Sequence, residues 1–207
     1  MNKCIILLFI IFILIGYCYY IIKNFKQSKN DIYYIEDFFT SNEFELITKH
    51  LKTIPRKDLK NEKFRLVSPL NNTKISNILY SQKTINKINK IVEKKLFKSD
   101  FPIEYRIYPT KSPGMQCHTD TLLYNLPQYE AVLTINNTSD SYTTWYSYNK
   151  EEHKIYTKPN SLLLVKAKGN RHCVSPINKG ERSIMKYIYS QSDTYNKNYL
   201  RELSRFK

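Results

Sequence analysis

Eight short runs between residues 104 and 189 decide the fold: EYRIY (104–108), MQCHTD (115–120), AVLTIN (131–136), YTTWYSY (142–148), KIYTK (154–158), SLLLVKA (161–167), HCVSP (172–176) and SIMKYIY (183–189). Five of them (104–108, 131–136, 142–148, 154–158 and 183–189) are rich in β-branched or aromatic residues. Turn formers separate the runs: Ser112-Pro113-Gly114, Asn136-Asn137, Pro159-Asn160, Gly169-Asn170 and Asn178-Lys179-Gly180. Strands of this length, punctuated in this way, predict a sandwich or jelly roll.

Upstream, IYYIEDFF (32–39) reads as a further strand. Thr40 or Ser41 can cap a helix whose apolar residues Phe44, Leu46, Ile47 and Leu51 lie at helical spacing, with Pro55 at or just past its end. Residues 56–73 read as mixed strand and loop. A second amphipathic helix is expected from Ile75 to Phe97, carried by Ile75, Ile78, Leu79, Ile85, Ile88, Ile91, Val92 and Leu96. The expected fold class is therefore α+β, mainly β, a double-stranded β-helix with N-terminal helices packed outside.

The chain opens differently. Cys4–Ile22 (CIILLFIIFILIGYCYYII) is 19 residues without a charge. A helix of that length spans about 28 Å, close to a hydrocarbon core of about 30 Å. The run exceeds a signal-peptide core and no small-x-small cleavage site follows it, so a transmembrane helix is expected, with residues 1–31 as anchor and linker and 32–207 as the second domain. Lys3 flanks the run on one side and Lys23, Lys26 and Lys29 on the other, which votes for a cytosolic position of the bulk of the chain.

Composition narrows the functional classes. The 207 residues hold 33 Lys+Arg against 18 Asp+Glu, a net charge of +15, with 14% aromatic residues. That aromatic content excludes a wholly disordered chain. Four Cys exclude a disulfide scaffold. Four of the lysines and one aspartate fall in residues 1–31, which leaves 29 basic and 17 acidic residues, +12, in the remainder. The basic residues are dispersed rather than gathered in a stripe, so nucleic acid is not the favoured partner.

The four histidines carry the chemistry. His50 falls in the first helix and His153 in a charged turn, where a structural or solvated role is expected. His118-Thr119-Asp120 lies in a strand-like run, so both side chains point to one face at period two. His172 opens a later run, and Arg182 follows ten residues on. A metal held by His-x-Asp and one distant His is the facial triad of non-haem iron oxygenases, with positions left open for co-substrate and O₂. Each piece alone is weak; the ordered set in an all-β context is stronger.

With these residues in place, the chain resembles the Fe(II)/2-oxoglutarate-dependent dioxygenases, most of all their prolyl 4-hydroxylase branch. The resemblance covers almost all of residues 32–190. It rests on IEDFFTSNEFELI (35–47), on Tyr108-Pro109, Gly114 and His118-Thr119-Asp120, on AVLTIN (131–136), on KPNSLLL (158–164), and above all on HCVSP (172–176) followed by Gly180-Glu181-Arg182. The resemblance implies iron ligands His118, Asp120 and His172, Arg182 as partner of the distal carboxylate of 2-oxoglutarate, and Tyr108 and Thr134 as further co-substrate contacts. It implies oxidative decarboxylation to succinate and CO₂ coupled to hydroxylation of a peptidyl residue, proline first, with ascorbate as auxiliary. It also implies a lumenal position, against the flanking charges. Asn160 stands where the family has Gly, tolerable because Asn visits positive φ. The run at 143–148 lacks the usual Gly-Gly, which leaves the lip of the pocket open to question.

Three alternatives remain at this stage. A nucleic-acid demethylase of the same superfamily would carry a second Arg where Lys186 stands. A catalytically inactive β-barrel binding module would normally have lost a ligand. A zinc hydrolase has no need of Arg182. Cys117 and Cys173 share the residue-number sum of 290 with His118 and His172, so on antiparallel neighbours they would be directly opposed on the outer face, close enough to bond. The cytosolic vote favours two free thiols.

Overall fold

The computed structural model describes residues 11–17 and 31–206. The chain divides into two units, Met1–Asp31 and Ile32–Lys207. In the first, residues 11–17 are helical. Among the described residues no helix is long and apolar enough to cross a membrane, so the transmembrane helix in the expected fold class is not supported. The rest of the expected span, 4–10 and 18–22, lies outside the described residues.

The second unit is a mixed α/β structure built on two antiparallel sheets. The twelve strands among the described residues are β1 (Ile32–Ile35), β2 (Lys60–Glu62), β3 (Arg65–Leu70), β4 (Phe97–Lys98) and the eight, β5 to β12, whose ranges follow. The large sheet has the order β1-β10-β7-β12-β5-β3-β2, with β4 on β12, and the small sheet the order β6-β11-β8-β9. The strands that position the site are β5 (Ile103–Tyr108), β7 (Tyr129–Asn137), β10 (Leu162–Lys166) and β12 (Arg182–Ser190) in the large sheet. In the small sheet they are β6 (Met115–His118), β8 (Thr143–Tyr146), β9 (Glu152–Ile155) and β11 (His172–Val174).

Helix α1 (Ser41–Lys52) starts where Thr40 accepts a hydrogen bond from the Glu43 N–H while the Glu43 carboxylate accepts from the Thr40 N–H, a reciprocal capping box. The expected helix over 75–97 is two helices, α2 (Thr73–Leu79) and α3 (Gln82–Val92). The break lies at Tyr80-Ser81. The Ser81 hydroxyl accepts from the Thr84 N–H and starts a new helix there. Glu93, at φ 52°, ends α3 four residues before Phe97. A C-terminal helix, α4 (Lys197–Leu203), packs Tyr199 against Phe101 and Tyr124.

Period-two alternation divides the large sheet into two unlike faces. One face presents Ile103, Tyr105, Ile107, Ala131, Leu133, Leu162, Leu164, Met185 and Tyr187 to the helices, where they bury Ile47, Leu51, Ile75, Leu79 and Ile88 in the main core. The other face turns Arg106, Tyr108, Glu130, Thr134, Arg182 and Lys186 toward the small sheet, and the two sheets enclose a cavity between them.

Candidate metal and co-substrate site

His118 ends β6 and His172 begins β11, and the register pairs them directly. Both imidazoles point into the cavity, their ring centroids 4.4 Å apart. Asp120, two residues beyond β6, reaches both: Oδ1 is 3.7 Å from His118 Nε2 and Oδ2 is 3.7 Å from His172 Nε2. One donor atom from each residue lies within 4.8 Å of the others, so this group could hold a metal ion.

The donor set fits a divalent cation in its protonation as well as its spacing. His118 Nδ1 lies 2.7 Å from the Gln116 carbonyl and His172 Nδ1 3.3 Å from the Asn170 carbonyl. A carbonyl oxygen only accepts, so each Nδ1 carries the hydrogen and each Nε2 turns a lone pair inward. Burial, with the neighbouring His118, holds the His172 pKa below its ordinary value.

Two glycines hold the chain around these ligands. Gly114 (φ 76°) passes so close to β11 that a Cβ there would overlap the Val174 carbonyl. Gly180 (φ 71°) likewise leaves no room for a Cβ beside the Thr138 carbonyl, in the turn that delivers Arg182. Asn160 adopts φ 60°, the left-handed conformation its place in the turn requires. Its side chain also accepts from the Phe39 N–H and donates to the Phe39 carbonyl, tying the turn to the strand-helix junction ahead of α1.

Arg182 opens β12, opposite Tyr108 on β5 and Asn137 on β7. Its guanidinium carbon lies 5.5 Å from the centre of the Tyr108 ring. The residue is 6% exposed, no carboxylate lies within ion-pair distance of it among the described residues, and its Nε has no hydrogen-bond partner. A buried cation without an anion is costly, and burial lowers its pKa. The fork geometry of a guanidinium suits a carboxylate as the missing partner. Around Tyr108, burial opposes ionisation, but Arg106, Arg65 and Arg182 outweigh it and hold the phenol below its usual pKa. Arg106 and Arg65 are paired with Glu104 and Glu62, so Arg182 is the uncompensated positive charge at this end of the cavity among the described residues.

All six residues singled out by sequence therefore line one cavity: His118, Asp120 and His172 on one side, Arg182, Tyr108 and Thr134 on the other. Sequence reading missed Arg106, Glu130, Lys186, Thr143 and Thr157, which line it too. The signal was present. Glu104, Arg106 and Tyr108 share a face of β5, Glu130, Val132 and Thr134 a face of β7, and Arg182, Ile184 and Lys186 a face of β12. Two buried ion pairs neutralise most of that charge. Glu104 takes Arg106 in a two-pronged contact at 2.6 and 3.0 Å, and Glu130 pairs with Lys186. The Glu130 carboxylate keeps Lys186 charged against the opposing effect of burial.

His50 touches Asn72 and lies away from the cavity. His153 is not in a turn. It sits in β9, opposite Trp145, with its ring stacked on the indole at 5.1 Å. Cys117 and Cys173 are joined by a disulfide with their Cα atoms 4.2 Å apart, which corrects the free-thiol expectation. The bond closes a separation of 56 residues, a constraint worth roughly 4 kcal/mol on chain-entropy grounds.

No protein-family model matches the sequence, and no curated protein matches it. Solved structures do match. An oxidoreductase of the 2OG-Fe(II) oxygenase family from Burkholderia pseudomallei aligns with a TM-score of 0.68 at 12% identity, over 80% of this chain and 87% of its own. HygX from Streptomyces hygroscopicus, solved with nickel and 2-oxoglutarate bound, aligns with a TM-score of 0.60 at 11% identity, over 83% of this chain and 86% of its own. A prolyl hydroxylase from Trichoplax adhaerens, in complex with a hypoxia inducible factor peptide fragment, aligns with a TM-score of 0.56 at 14% identity, over 84% and 87%. At these identities the likeness concerns the fold. The chain has the fold of the 2OG-Fe(II) oxygenases, prolyl hydroxylases among them.

Proposed function

We propose that this protein is an Fe(II)/2-oxoglutarate-dependent oxygenase that hydroxylates a peptidyl residue, proline first. The observation that carries the reading is the joint presence, in one cavity, of the His118–Asp120–His172 donor set and the buried, anion-less guanidinium of Arg182. A metal-only hydrolase would have no use for the second, and an inert barrel would have no reason to keep either.

The residues divide the work. His118, Asp120 and His172 hold the metal on one side, with Nε2 lone pairs fixed by the carbonyls behind them. Ferrous iron bound there supplies the oxygen activation that couples decarboxylation of 2-oxoglutarate to hydroxylation of a substrate C–H bond. Arg182 and Tyr108 hold the distal carboxylate of the co-substrate. Thr134 sits beside it on β7. Val132, Leu163, Val165 and Ile184 form apolar walls that keep water from the reacting centre. Ascorbate serves as auxiliary reductant.

A peptide substrate is supported by the peptide-bound neighbour. The nucleic-acid reading is weakened by Lys186, since its charge is spent on Glu130. The Cys117–Cys173 bond supports a working place outside the reducing cytosol. The test is 2-oxoglutarate turnover by the full chain loaded with Fe(II) under controlled oxygen, with proline-containing peptides and methylated oligonucleotides offered separately. Succinate release stimulated by a peptide, with a gain of one oxygen atom on it, is expected. Stimulation by the oligonucleotide alone would transfer the activity to the demethylase class, and no turnover at all would return the chain to a binding role.

A further inference from the structure

We propose that the Cys117–Cys173 disulfide is a positioning cross-link for the metal centre, whose reduction by a thiol loosens the metal site without unfolding the chain. The inference rests on the metal reading given above. It starts from the adjacency of two pairs: Cys117 immediately precedes His118, and Cys173 immediately follows His172.

Side chains alternate across a strand, so the two cysteines point to the face opposite the two imidazoles. The imidazoles converge inside the cavity while the sulfurs join outside, where Cys117 is exposed and Cys173 half-buried. The covalent bond thus lies directly behind the ligands, within reach of solvent.

The backbone gives those ligands little other support. β6 is the edge strand of the small sheet and pairs with β11 alone. The register holds His172 opposite His118, then slips, so that Val174 faces Met115. Such an irregularity interrupts the ladder at the ligands themselves. Asp120 lies beyond the end of β6, tethered by its carbonyl to the Lys168 N–H at 3.2 Å. Arg171 adds one bond, from its side chain to the Cys117 carbonyl at 2.8 Å. Two of the three ligands therefore ride on a short edge segment, and the disulfide is the only covalent link between that segment and the strand carrying the third.

The chemistry balances with a dithiol as reductant. The S–S bond breaks, each cysteine sulfur gains one electron and one proton, and the dithiol closes to its own disulfide. His118 and Asp120 are then held to His172 by a slipped, two-pair ladder and by the hydrogen bonds of Lys168 and Arg171, with no covalent cross-link. Supports behind metal ligands typically contribute 10- to 100-fold in metal affinity.

The test is metal binding by the full chain in both redox states. Co(II) is titrated anaerobically into oxidised protein and into protein reduced with dithiothreitol and freed of it by gel filtration, with circular dichroism and the cobalt ligand-field spectrum recorded alongside. A Cys117→Val/Cys173→Val chain fills the same cross-strand space with a β-branched pair and no bond. The expected result is a dissociation constant raised about tenfold or more in both the reduced and the double-valine chains, an altered cobalt spectrum, unchanged secondary structure, and recovery on reoxidation. Equal affinities in all three would overturn the positioning role and leave the metal reading intact. Unfolding on reduction would also overturn it, because the bond would then act on the whole fold. Absence of cobalt binding by the oxidised protein, with His118→Ala indistinguishable from it, would remove the metal reading itself.

Discussion

The large sheet and the small sheet hold opposite halves of the candidate site by unlike means. Arg182 lies at the head of a strand that pairs through eight residues with β7 and five with β5. His118 ends an edge strand that pairs through two residues with β11. The anion side thus rests on a long, doubly flanked ladder with an apolar core behind it, and the metal side on a short margin with a disulfide behind it. An anion held by one fork needs a fixed donor in a dry setting. A metal needs three donors from two segments to converge, and here a covalent cross-link joins the two segments behind them.

That contrast breaks first at Asp120. The carboxylate is shared by both imidazoles, so Asp120→Ala leaves two rings facing each other with no anionic donor between them. Metal binding is expected to fall by roughly 100-fold or more, and succinate production to vanish, while the melting temperature of the metal-free chain stays unchanged or rises. Anaerobic titration with Co(II) checks it. Undiminished metal affinity would mean the ion sits elsewhere.

The large sheet responds in stability instead. Glu104 is buried against Arg106, and removing it strands a guanidinium inside the sheet. Glu104→Ala is expected to cost about 3–5 kcal/mol in denaturant unfolding. The pH dependence has a definite sign. Burial raises the Glu104 pKa, but the Arg106 guanidinium outweighs it and holds the carboxyl below its ordinary value. The group therefore contributes stability above the unfolded carboxylate value of about 4.3, and that contribution is lost as pH falls through the lower folded value. The acid limb of the stability profile should flatten in the variant. An unchanged acid limb would show that the pair is replaced by other contacts.

Arg182→Met sharpens the comparison, because it leaves the metal side untouched. Losing one charge-assisted fork costs about 1.5–3 kcal/mol, so the 2-oxoglutarate requirement should rise ~10- to 150-fold while cobalt affinity holds. Loss of both together would make Arg182 a support of the whole cavity rather than an anion holder.

How much of this the residues disclose depends on which force places them. The Thr40–Glu43 cap, the His-x-Asp pair and the left-handed Asn160 are legible because each is set by local geometry over three or four residues. The break at Ser81 escaped because the apolar positions on either side continue the same helical phase, and a single serine hydroxyl outranks them. The run KIYTK (154–158) misled in the same manner. Its apolar and aromatic residues suggest a strand, yet β9 is Glu152–Ile155, fixed by pairing with β8, which carries His153 onto Trp145. The charged cavity lining escaped for a different reason. In Glu104-Tyr105-Arg106-Ile107-Tyr108 the alternation is plain, but polar positions in a strand ordinarily face water. Here they face a second sheet, and only the tertiary arrangement says so.

Thr134 gives the smallest expected effect and divides the two roles of the large sheet most finely. Its side chain is 1% exposed and lines the cavity, while its backbone exchanges hydrogen bonds with the turn at Asn160-Ser161. Valine keeps the shape and the backbone bonds and removes only the hydroxyl. If that hydroxyl meets the co-substrate, Thr134→Val should lose about 1 kcal/mol of 2-oxoglutarate binding, roughly a fivefold rise in its KM, with kcat and unfolding free energy little changed. A change in stability without a change in KM would instead assign the hydroxyl to the wall of the cavity. The anion would then be held by Arg182 and Tyr108 alone, and the large sheet would act through its ladder and the buried guanidinium of Arg182.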